Sequence, residues 1–151
     1  MGSIISADAV AAASATTWLS TELNSLAANT DSSASGTAYN NVPTSGSSTA
    51  GYFTAEVEVH AVFAAAISAG AVFQVFIVPE LDGSTYADAN STSAQPIMAV
   101  PLGTGSTQDF IRFNIDIPPC NIKCFARHSA SQSLASSGST IKIRPARIQV
   151  N

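Results

Sequence analysis

The stretch Tyr52-Phe-Thr-Ala-Glu-Val-Glu-Val-His-Ala-Val-Phe63 decides the fold class. Phe53, Ala55, Val57, Val59, Ala61 and Phe63 occupy one parity, and Thr54, Glu56, Glu58 and His60 the other. Successive side chains of a strand point to opposite faces, so this alternation predicts a strand with one face buried and one wet. Asp109 to Ile117 repeats the pattern, with Ile111, Phe113, Ile115 and Ile117 set against Phe110, Arg112, Asn114 and Asp116. The first set is the predicted core face. Ala71 to Val78 is apolar on both parities, as in a strand covered on both sides.

Shorter strands are predicted at Ile97 to Leu102 and Ile122 to Ala126. Thr140 to Val150 reads as a last strand, with Ile141 and Ile143 against Lys142 and Arg144. Pro145 lacks an N–H, so an edge, bulge or break is expected there. Turn signals separate these runs: Ser68-Ala-Gly70, Asp82-Gly-Ser84, Gly103-Thr-Gly105, Pro118-Pro119 and Ser136-Ser-Gly138. Strands at this spacing with no helical pattern between them predict an all-β chain, an antiparallel β-sandwich or jelly roll. Residues 6–28 fit helix or strand: Ser6 to Ala15 is Ala-rich and could be capped by Ser6, and Leu19, Leu23 and Leu26 have helical spacing, whereas Thr17, Leu19, Thr21 and Leu23 share one parity and favour an extended Thr16 to Leu23. Residues 29–51 are rich in Ser, Thr, Gly and Asn, with little to bury. The chain therefore divides into an extended N-terminal segment with a long polar loop (1–51) and a sandwich core (52–151), all in one domain.

Composition narrows the function classes. Of 151 residues, 46% are hydrophobic, but 26 are Ala, and Ser and Thr contribute 35 more. Charged residues are only 11%, well below the ~25% of an average domain. No apolar run reaches the ~18 residues of a membrane-spanning helix. Charge is too scarce for an expanded polyelectrolyte. A net charge of −4 disfavours nucleic-acid binding. The charges are also segregated. Residues 1–111 hold nine acids and no Lys or Arg, while residues 112–151 hold six bases and one acid, Asp116. Such a split points to a complementary contact between proteins.

No arrangement of reactive side chains rises to a catalytic or metal site. Cys120, Cys124 and His128 form C-x3-C-x3-H, but on one strand four residues span about 13 Å, too far for ligands to converge on zinc. Glu56 and Glu58 fit a solvated or partner-facing strand surface better than an acid–base pair. The acids at Glu80, Asp82 and Asp88 lack calcium-loop spacing and suit an acidic turn. His60 and His128 lie in no nucleophile motif. An enzyme, a cofactor and a metal are therefore not expected. Glycan binding would need exposed aromatic platforms, and Trp18, Tyr39, Tyr52 and Tyr86 are the few candidates.

The stretch Tyr52 to Ala89 resembles a group of small structural proteins of tailed bacteriophages. It runs from an alternating strand through Ala-Ala-Ile-Ser-Ala-Gly70 to Val72-Phe-Gln-Val-Phe-Ile-Val-Pro79, then Glu-Leu-Asp-Gly-Ser-Thr-Tyr86-Ala-Asp88. The upstream Leu23-Asn-Ser-Leu-Ala27 is similar to the first strand of that group. Size and all-β character are similar to capsid decoration (cement) proteins. The resemblance implies a β-sandwich or jelly roll, often a homotrimer, bound to the major capsid protein on the outer surface of the virion after synthesis in the host cytoplasm. It implies no role with nucleic acid or membrane. A head-fibre, tail or baseplate module that binds a receptor or glycan is the alternative. Arg127, Lys142, Arg144 and Arg147 are the candidate basic side of a protein interface. Glu56 and Glu58 are its acidic side, and Trp18 and Tyr39 its aromatic contacts. Residues 29–51 and the N-terminal segment are candidates for an embrace between subunits.

Overall fold

The computed structural model describes residues 8–9, 15–42, 54–146 and 148–149. Eleven strands follow in chain order: β1 (Asp8–Ala9), β2 (Thr16–Leu19), β3 (Tyr39–Asn40), β4 (Thr54–Ile67), β5 (Val72–Asp82), β6 (Thr85–Tyr86), β7 (Pro96–Pro101), β8 (Gly105–Asp116), β9 (Asn121–His128), β10 (Thr140–Ala146) and β11 (Ile148–Gln149). Among the described residues the only helix is one 3-10 turn, Thr21–Leu23. Within residues 6–28, where the sequence leaves helix or strand open, Asp8–Ala9 and Thr16–Leu19 are strand and Thr21–Leu23 is the 3-10 turn, while residues 6–7 and 10–14 lie outside the described residues, as do Tyr52 and Phe53.

One sheet has the order β2-β10-β4-β8 and the second β3-β9-β5, with β6 and β7 both pairing β5. Every pairing is antiparallel. β1 and β11 form a separate ribbon. The chain is an all-β sandwich with its core between the two sheets. Val57, Val59 and Ala61 of β4 are fully buried, with Ile143 and Ile141 of β10 opposite the first two. The facing sheet supplies Phe73 and Val75 of β5, and Ile122, Cys124, Ala126 and His128 of β9. Burying these apolar side chains is the main stabilising term.

β5 is apolar on both parities because its second face is also covered. Phe76 lies opposite Phe125 of β9, and their rings stack at 4.5 Å and 5°. Val78 completes this outer cluster, and Tyr86, Ala87, Ala89 and Ala94 roof it. Gly83, at φ +62°, makes the tight return from β5 to β6, a conformation that disfavours a side chain.

Pro145 sits inside β10, opposite Ala55. On the other side of β10, pairing with β2 ends at Ile143. Among the described residues Pro145 has a strand neighbour on the β4 side only, the edge-like position expected of a proline in a strand.

β8 departs from its sequence pattern. Ala55 pairs Ile115 and Val57 pairs Arg112, so Phe113 and Asn114 together oppose Glu56. This is a β-bulge, and Asn114 takes the left-handed conformation that Asn tolerates, at φ 55°. The extra residue reverses the parity of the strand. Before the bulge, Phe110 turns inward, with its ring 5.7 Å from that of Phe73. After it, Ile115 turns inward. Ile111 and Phe113, predicted in the core, are instead 53% and 58% exposed.

The polar loop is tied down within its own chain. Ser32 N donates to Ala126 O at 2.9 Å, and Ala126 N returns a bond to Ser32 Oγ at 3.0 Å. Ser35 repeats the exchange with Cys124, at 2.8 and 3.2 Å. Farther along β9, Tyr39 pairs Ile122 and Asn40 pairs Asn121. Serine hydroxyls stand in for backbone carbonyls, so a segment with little to bury still satisfies the edge of β9. Residues 29–42 therefore need no neighbouring subunit to hold them. Residues 43–51 lie outside the described residues.

Candidate functional site

The segregated charges meet each other inside the chain. Registry places Lys142 opposite Glu58 and Arg144 opposite Glu56 on the outer face of β10 and β4. Lys142 Nζ lies 3.3 Å from Glu58 Oε1, and Arg144 Nη1 lies 3.0 Å from Glu56 Oε2. On the other side of β4, His60 Nδ1 contacts Asp109 Oδ1 of β8 at 2.5 Å. Antiparallel pairing of a late basic strand with an early acidic one turns the charge split of the sequence into a ladder of cross-strand pairs. Glu56, Glu58, Lys142 and Arg144, expected as the two charged sides of a protein interface, thus each have a counter-ion within the chain. Arg147 lies outside the described residues.

Such half-exposed pairs contribute about 0.2–1 kcal/mol each. Arg144→Glu should place like charges opposite each other and lower stability by about 1 kcal/mol in urea unfolding. Combining it with Glu56→Arg should restore most of the loss. A double variant no more stable than Arg144→Glu alone would argue against the pairing.

Arg127 also has an internal role. Its Nη1 donates to Ser91 Oγ at 2.8 Å and lies 3.4 Å from Asp31 Oδ1. Asp31 Oδ2 in turn accepts Ser91 N at 3.0 Å. Burial pushes the Asp31 carboxyl pKa up, but the bonds from Ser91 and Arg127 outweigh it, and the net shift is downward. Arg127 thus ties the polar loop and the segment after β6 together over β9.

Among the described residues the aromatic candidates form no platform. Trp18 is 5% exposed and belongs to the core, so its assignment to an interface is corrected: β2 turns the indole inward. Tyr39 is half-buried against the same core. Tyr86 roofs the outer cluster, and Lys123 Nζ sits 4.6 Å from its ring centroid. Tyr52 lies outside the described residues.

Cys124 is buried and Cys120 half-buried, both as free thiols. Burial pushes the Cys124 thiol pKa well up, which makes it unreactive. Among the described residues, no three His, Cys, Asp or Glu side chains gather as a metal site. No helix among them is long and apolar enough to cross a membrane.

Two features escaped the sequence reading. One is the pair Ile111 and Phe113, on the edge strand beside the neutralised ladder, with Ile111 opposite Glu58. An Asn within an otherwise alternating run is the available signal for the bulge that turns them outward. The other is an open groove of about 660 Å³ at the far end of β5. Its apolar lining includes Ile77, Pro79 and Leu81, with Tyr86 and Asp88 beside them. Leu81 is 66% exposed. Its residues come from β5, β6 and the following loop, and only folding brings them together. Comparison with known proteins places no relative beside this arrangement: no family model, curated protein or solved structure matches the chain.

Proposed function

We propose that the chain is a structural protein of a phage virion, a capsid decoration protein that binds the outer shell and stabilises it by bridging neighbouring subunits. The observation that carries this reading is the outer face of the β2-β10-β4-β8 sheet. The central charges of this face, Glu56 with Arg144 and Glu58 with Lys142, are neutralised in pairs, and two large apolar side chains, Ile111 and Phe113, stand exposed at its margin. A low-charge face with exposed apolar groups suits burial against another protein, because little charge has to be desolvated. The strand order lends further support. With β1, β6 and β11 set aside, the eight remaining strands form two four-stranded sheets, β2-β10-β4-β8 and β3-β9-β5-β7, and the chain crosses between them at every step but β5 to β7, as in a jelly roll, an architecture used by viral capsid domains. The sequence resemblance to phage decoration proteins points the same way.

Binding to the assembled shell and not to its dissociated subunits would raise shell stability by mass action. Capsids without the protein should rupture at lower temperature and under milder osmotic shock, and add-back of the purified chain should restore them. Capsids equally robust with and without it would refute the proposal.

A further inference from the structure

We infer that the free edge of β8 receives an extended strand of a different protein, one that sets an acidic side chain opposite Arg112 and apolar side chains beside Ile111 and Phe113. This gives the proposed function its contact element and rests on that reading only in taking the chain to work by binding another protein. β8 is the last strand of its sheet, paired with β4 on one side and, among the described residues, with no strand on the other. Thr107 to Arg112 pair Val62 to Val57 residue for residue, a straight run of about 20 Å. About half of the backbone N–H and C=O groups of such a run point away from its neighbour. The other edges are blunted. β2 has four residues, and β3 and β6 have two each. β7 begins at Pro96 and ends at Pro101, and proline offers an incoming strand no N–H. Thr107 to Arg112 contains neither Pro nor Lys, and the bulge comes only after it. An edge left this open takes an extended segment, whose own backbone groups match it, and not a helix.

The side chains along the edge specify the segment. An added strand continues both faces of the sheet, and its residues alternate between them. On the outer face it meets Ile111 and Phe113, both exposed. On the inner face it meets Arg112, which pairs Val57 in register. Arg112 is exposed and, among the described residues, has neither an ion pair nor a hydrogen bond. It lines an open groove of about 260 Å³ with Ile97 of β7 and with Asn114, Ile115 and Asp116. Asp116 pairs Thr54, so it belongs to the outer face, and it makes no ion pair with Arg112. A carboxylate on the incoming strand supplies the missing counter-ion, so the segment reads apolar, acidic, apolar. A second copy of the same run cannot supply it. The residues on the face of Arg112 are Gln108 and Phe110, whereas Asp109 lies on the other face and is held by His60.

Backbone NMR of the full chain tests this with two synthetic peptides, acetyl-Thr-Val-Glu-Val-Thr-Val-amide and the same peptide with Lys in place of Glu. The Glu peptide should shift the amide signals of Thr107 to Arg112 and slow hydrogen exchange at alternate positions. The Lys peptide should bind about threefold or more weaker, and Arg112→Glu, an exposed substitution that leaves the core intact, should reverse that order. No response from these amides to the Glu peptide, or the same order of affinities in Arg112→Glu, would overturn the inference. So would protection of the amides in the free chain that disappears on dilution, because a second copy would then occupy the edge. Capsids stabilised equally by the wild type and Arg112→Glu would overturn the inference and leave the proposed function standing. Peptide pairing with the expected charge preference, by a chain that leaves capsid stability unchanged, would do the reverse.

Discussion

Phe73→Ala should cost about 3–5 kcal/mol of folding stability, a large share of the 5–15 kcal/mol typical of a domain. Phe73 is 0% exposed and sits where the two sheets meet. Its ring meets Phe110 of the opposite sheet edge to face at 5.7 Å, and lies over His128 at 6.4 Å and 13°. Truncation removes the transfer term and leaves a cavity that the neighbours on β8 and β9 can only partly fill. The melting temperature should fall by roughly 6–20 °C. Phe113→Ala is the matched control. Its ring is 58% exposed, so stability should shift by no more than about 0.5 kcal/mol. Both residues sit in apolar-rich strands and look alike in the sequence, yet the bulge in β8 sends one outward. Urea unfolding that ranks the two losses equal, or in reverse, would contradict the parity assigned to β8.

What could be read from the sequence depended on whether side chains or backbone made the contact. β4 was legible because Val57, Val59 and Ala61 alternate without interruption against Glu56, Glu58 and His60. β5 was legible as covered on both faces, although the sequence did not show that Phe125 and a run of alanines would cover the second. β8 misled because one extra residue at Asn114 shifts the register, and a bulge leaves no mark in hydropathy. The binding of Ser32 and Ser35 to β9 was invisible because a hydroxyl replacing a carbonyl looks, in sequence, like any loop serine. The charge split was plain, but its meaning depended on which strands pair. An acidic early strand beside a basic late one pairs part of the asymmetry within the chain. The exposed apolar pair and the groove both arise from local irregularities. The sequence carries those only as an Asn in a strand and an Asp-Gly turn.

His128 should make the fold sensitive to mild acid. Its imidazole is buried on the inner face of β9, with Nε2 3.0 Å from Leu26 O. Nε2 must donate to that carbonyl, so Nδ1 is the acceptor of a neutral ring, and it has no partner. Phe63 packs edge-on against the ring at 5.4 Å, and Phe73 lies over it. Burial pushes the His128 pKa below its ordinary value, and the bond to Leu26, which favours the charged form, only partly opposes this. The unfolded chain takes up a proton near pH 6.5, whereas the folded chain does so only at lower pH. Between those two values the unfolded state binds more protons, so stability rises with pH across the window. The contribution is complete above about pH 6.5 and is lost progressively as the pH falls toward the folded pKa. The urea midpoint should therefore drop between pH 7 and pH 5, before most carboxylates begin to protonate. His128→Leu keeps an apolar group of similar reach and forfeits the bond to Leu26, so it should be less stable at pH 7 but nearly flat over the same range. The His60–Asp109 pair is present in both proteins and cancels in the comparison. Equal slopes for the wild type and His128→Leu would show that the acid sensitivity arises elsewhere. A wild type with no slope at all would mean that water reaches Nδ1, and that the core between β4 and β9 is less tightly closed than its packing indicates.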